Sequence, residues 1–91
     1  MLEGFIKFIN SSHKEANELR KRINFFIVPM VNPDGVIIGN TRTSTAGKDL
    51  NRQFLLANRD QHPEVALIKE FGKKLHHKYG AFMYLDFHGH S

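Results

Sequence analysis

Two polar stretches hold most of the residues able to do chemistry. One is Asp86-Phe87-His88-Gly89-His90-Ser91, which follows an apolar run from Ala81. Imidazole is the commonest metal ligand at neutral pH and a ready proton donor or acceptor. His88 and His90 flank a glycine that lets the backbone turn tightly. An H-x-H pair is weak evidence for zinc, which takes three or four protein ligands. A strand-end histidine bonded to backbone accounts for the same pattern. The other stretch runs from Asn32-Pro33-Asp34-Gly35 to Asp49-Leu50-Asn51-Arg52. Arg42 and Arg52 each present a planar, permanently charged fork that matches a carboxylate. Asn51 adds an amide donor and acceptor, and Asp49 could steer the group. The plainer reading is a surface loop whose arginines meet water. Asn32 to Gly35 reads as an ordinary tight turn bracketed by Pro and Gly. His13, His62, His76 and His77 read as helix or loop surface.

These side chains need elements to position them. Leu2, Phe5, Ile6 and Ile9 have helical spacing. Ser12 and Glu15 form a capping-box pattern for a second helix, with Ala16, Leu19 and Ile23 as its apolar stripe. Asn24 to Met30 is rich in aromatic and β-branched residues and reads as a strand buried on both faces, fraying near Pro29. Residues 31–60 lack periodicity and exceed the ~12–15 residues usual for a structureless loop. They read as an ordered loop anchored by Val36, Ile37, Ile38, Leu50, Phe54 and Leu55, with the first three forming a short strand or pinning the loop to the core. Pro63 opens a helix whose face carries Val65, Ile68, Phe71 and Leu75, and Gly80 stops it. Ala81 to Phe87 reads as a second strand. A strand–helix–strand crossover implies parallel strands. Both polar stretches would then leave the same sheet end and converge on one cleft. The expected class is α/β, a fragment of a mixed, largely parallel sheet flanked by helices, because two strands make no stable sheet alone.

Composition excludes several functions. With 91 residues the chain fits one small domain or a piece of a larger one. It has no cysteine, so disulfides, thiolate zinc sites and cysteine nucleophiles are excluded. The first residues lack a basic leader ahead of an apolar core, so they do not read as a secretory signal. No apolar run approaches the ~20 residues that span a bilayer. The net charge of +4 raises nucleic acid as a partner. The basic residues are spread, with pairs at Lys21-Arg22 and Lys73-Lys74 on separate helices, and a binding tract would cluster more tightly. Neither nucleic acid nor membrane is expected as a partner.

Four segments together are more specific than any one. Val28-Pro29-Met30-Val31-Asn32-Pro33-Asp34-Gly35-Val36, Gly39-Asn40-Thr41-Arg42, Ala46-Gly47-Lys48-Asp49-Leu50-Asn51-Arg52-Gln53-Phe54 and Asp86-Phe87-His88-Gly89-His90-Ser91 closely resemble the zinc metallocarboxypeptidases. The match is nearest to their cytosolic branch, which includes enzymes that trim glutamates from tubulin tails. Gly4 to Arg22 resembles the helical lead-in more loosely. The resemblance implies that His88 is a zinc ligand and that Arg42 polarises the scissile carbonyl. It implies that Asn51 and Arg52 grip the substrate's C-terminal carboxylate, and that Asp49 orients a zinc histidine. It implies Zn2+ in the complete domain, a peptide or protein C-terminal tail as partner, tubulin among the candidates, and a cytoplasmic location.

Two parts of the family pattern are not in residues 1–91. No H-x-x-E occurs, and His62 and Glu64 are too close together and in the wrong segment to replace it. The general-base glutamate should lie well beyond Ser91. The expectation is a partial peptidase domain, inactive by itself. A non-catalytic tail-binding module is the alternative. A basic nucleic-acid module is a third reading, disfavoured because aromatic and basic residues do not alternate.

Overall fold

The computed structural model describes residues 1–80 and 83–89. Ala81 and Phe82 of the expected second strand, and His90 and Ser91 of the terminal block, lie outside the described residues. The chain divides into two compact units, Met1–Pro29 with Tyr84–Ser91, and Met30–Met83.

In the first unit, α1 (Leu2–Ile9) packs against α2 (Lys14–Arg22). Ile9 of α1 and Ala16 of α2 are both buried. The Ser12–Glu15 capping box does not form. His13 is the N-cap of α2 and makes no side-chain cap bond. Ser11 takes over the turn instead: its hydroxyl donates to the Phe8 carbonyl at 2.6 Å and accepts from His13 N–H at 3.3 Å. Arg20 completes the corner, donating to the carbonyls of Ile9 and Ser11. Ile9 ends α1 and Ser11 lies just beyond it, where helix carbonyls lack intrahelical partners.

Asn24–Met30 and Met83–Phe87, expected as strands, form no strand among the described residues. A strand exists through its ladder, and β-propensity alone supplies no partner backbone. Burial fails with it: Val28 is 47% and Leu85 62% exposed. The sheet expected from sequence is therefore not part of the described structure. Within the first unit, the Phe5 ring instead meets Phe25 edge-on at 5.8 Å and Phe87 at 6.2 Å.

The second unit begins with a helix where the sequence reads as a tight turn within an ordered loop. In α3 (Pro33–Ile38), Asn32 is the N-cap, Pro33 occupies the first turn, and Gly39 closes the end at φ +81°. Proline's fixed φ suits that first turn, and glycine reaches the left-handed cap without strain. Val36, Ile37 and Ile38 are exposed, so they do not pin the segment to a core. Leu50 is buried as expected, whereas Leu55 is exposed. Pro63 and Gly80 bound α4 (Pro63–Tyr79) as their types require, with Val65 and Ala66 buried. His62, expected on the surface, is its buried N-cap. Lys69 reaches back to donate to the Phe54 carbonyl at 2.6 Å.

Candidate carboxylate-binding site

The segment between α3 and α4 is ordered by polar bonds. Thr43 and Asp49 form an antiparallel bridge. Inside it, Ser44 N–H donates to the Lys48 carbonyl at 2.9 Å, and Gly47 N–H donates to the Ser44 carbonyl at 3.0 Å. Ser44 is buried at the base of this turn. The bridge lays the backbone that follows Arg42 alongside the backbone that leads into a 3-10 turn, Leu50–Arg52. Asp49 caps that turn by accepting Asn51 N–H at 3.0 Å. Arg42, Asn51 and Arg52 are all exposed. The structure thus brings Arg42, Asp49, Asn51 and Arg52 into one small polar substructure. Two guanidinium forks and an amide on such a frame suit a carboxylate. The bond seen for Asp49 is this local cap.

His88 belongs to the first unit. Its Nδ1 lies 3.2 Å from Asp86 Oδ2. A carboxylate on one ring nitrogen fixes the tautomer and leaves the other nitrogen as the natural ligand atom, the arrangement common at metal-binding histidines. Asp86 was passed over in the sequence, although its spacing from His88 was the signal. Asn32 and Gly35 were likewise read only as turn residues.

Whether these residues fit zinc can be tested on donor number. Among the described residues no group of three His, Cys, Asp or Glu side chains could hold a metal ion. A catalytic zinc takes three protein ligands. One oriented imidazole does not suffice, so the described residues do not make a zinc site by themselves.

Relatives place the chain more firmly. It matches the zinc carboxypeptidase family over residues 1–91. It is 42% identical to cytosolic carboxypeptidase 2 of Danio rerio, 43% to that of Mus musculus and 41% to that of Homo sapiens, each over its whole length. It spans only 13%, 11% and 10% of those relatives. No solved structure gives a significant match. In that family the complete fold is α/β, although no strand forms among the residues described. With the match running from Met1 to Ser91 and relatives above 40% identity along the entire chain, the protein belongs to the zinc carboxypeptidase family.

Proposed function

We propose that this chain is the carboxylate-gripping part of a peptidase domain that hydrolyses C-terminal peptide bonds. The bridge between Thr43 and Asp49 carries the reading, because it aligns the Arg42 segment with Asn51 and Arg52. Asn51 and Arg52 hold the free carboxylate of a tail. A clamp on that group confines cleavage to chain ends. Arg42 donates to the scissile carbonyl, whose oxygen gains charge as the bond is attacked, and a fixed donor there lowers the barrier. His88 offers one imidazole toward the family's zinc, with the remaining ligands and the general-base glutamate lying outside residues 1–91. The chain alone is inactive in this reading. Its substrates are acidic protein tails ending in glutamate, tubulin among the candidates, which a net positive protein would attract. The names of the relatives support a cytoplasmic setting, and the partner is a peptide tail, neither nucleic acid nor membrane.

A chimera tests this. The matching segment of the mouse relative is replaced by these 91 residues, and release of C-terminal glutamate is followed. Activity retained in the chimera, reduced by Arg52→Ala chiefly through a higher KM, is the expected result. No glutamate is expected from the isolated chain with added zinc. A folded but inert chimera would overturn the proposal.

The lack of a three-donor cluster among the described residues favours a second reading, a tail-binding module without hydrolysis. That reading predicts an inert chimera and an isolated chain that still binds free-acid peptides in preference to their amides.

A further inference from the structure

We propose that the Asn32 carboxamide is a positioning residue that sets the backbone beside Arg42 and, through it, the Asn51–Arg52 grip. The inference rests on the carboxylate-gripping role proposed above. Asn32 Oδ1 accepts Gly35 N–H at 3.1 Å, and Asn32 Nδ2 donates to the Thr43 carbonyl at 3.0 Å. Gly35 N–H can only donate and the Thr43 oxygen can only accept, so the two partners fix which way the amide faces. Asn40 Nδ2 donates to the same Thr43 oxygen at 3.2 Å. Asn40 is itself held by its N–H to the Gly35 carbonyl at 2.8 Å.

The short helix α3 therefore grips one carbonyl from both of its ends. That carbonyl belongs to the residue after Arg42 and to the residue bridged with Asp49. From Asp49 the chain of bonds continues to Asn51 N–H. One carboxamide thus links the start of α3 to both halves of the proposed grip. Only an amide supplies an acceptor and a donor in one planar group at this reach. Aspartate keeps the acceptor and loses the donor, and serine is too short to span both partners. Gly35 belongs to the same device, because an added Cβ would stand 2.2 Å from Asn32 Nδ2 and 2.6 Å from the Thr43 oxygen.

The test uses the full 91-residue chain labelled for NMR, as wild type, Asn32→Asp and Asn32→Ser. Both variants keep a side-chain oxygen for the cap and lose the bond to Thr43. Amide exchange is read at Gly35, Ser44 and Asn51, and binding is titrated with the tripeptide Ala-Glu-Glu as free acid and as C-terminal amide. The expected result is unchanged Gly35 protection, exchange at Ser44 and Asn51 faster by about tenfold, and free-acid binding weaker by about tenfold, the scale of one lost hydrogen bond. The amide peptide should respond alike to all three proteins. Wild-type exchange at Ser44 and Asn51 in both variants overturns the proposal. Faster exchange with unchanged free-acid affinity also overturns it, since the bond would then be structural only. If the wild-type chain ignores the free acid, the carboxylate grip itself fails, and the exchange comparison decides the link between Asn32 and Asn51 by itself.

Discussion

Gly35 is buried between an amide and a carbonyl, so even a methyl group there has no room. Gly35→Ala should destabilise the second unit by about 1–3 kcal/mol, the range for forcing extra volume into a filled site. A lower urea midpoint checks it, and an unchanged midpoint would mean the neighbouring backbone yields freely. Tyr84 offers a test of charge. Partial burial first, and the Asp86 carboxylate second, push its phenol above the ordinary value of 10. A raised phenol keeps its proton longer in the folded chain than in the unfolded one. Its contribution to stability is therefore intact below pH 10 and is lost as pH rises through the folded value. With Tyr79→Phe as background, the absorbance titration of Tyr84 should have its midpoint above 10, and Asp86→Asn should lower that midpoint. No response to Asp86→Asn would remove the carboxylate as a cause. At this scale the sequence was readable where the outcome depends on residue type, as with Pro63 and Gly80 at the ends of α4. It was unreadable where the role depends on a partner far along the chain, as with Asn32 and Thr43.

Helix α4 was legible almost to its ends, because proline and glycine punctuate it and its apolar spacing is regular. Helix α3 was not, because Val36-Ile37-Ile38 has the composition of a strand while the Asn32 cap and Pro33 decide the outcome. Neither expected strand forms among the described residues, for a different reason. Strand formation depends on a neighbour's backbone, which no local pattern encodes. The tie between α4 and the loop before it carries its own prediction. Lys69→Met removes a charged, partly buried bond to the Phe54 carbonyl. It should cost about 1.5–3 kcal/mol, the range for hydrogen bonds to charged groups. The urea midpoint of the second unit should fall accordingly, and an unaltered midpoint would show that water replaces the bond without loss.

Among the described residues, many large apolar side chains face solvent, Ile27, Met30, Met83 and Leu85 among them. Surfaces of this kind bind apolar probes and promote association. The chain should bind the dye ANS at neutral pH and melt broadly in calorimetry. A sharp, two-state transition without dye binding would contradict this. The family was readable at this scale because the four segments occur together in order, and the grip is proposed on the same segments. The sheet and the shared cleft were inferred from strands that do not form among the described residues.

The ring of Phe5 has a kinetic consequence. It meets Phe25 and Phe87, so the first unit is assembled from segments far apart in sequence, with the residues of the second unit lying between them along the chain. Joining those segments means closing the chain over the 54 residues of Met30–Met83, an entropic charge that the uninterrupted second unit does not bear. Contacts local in sequence form faster than distant ones. When these 91 residues refold, pulse-labelled amide exchange should therefore show the portion bearing Arg42 and Arg52 protected before the segment bearing His88.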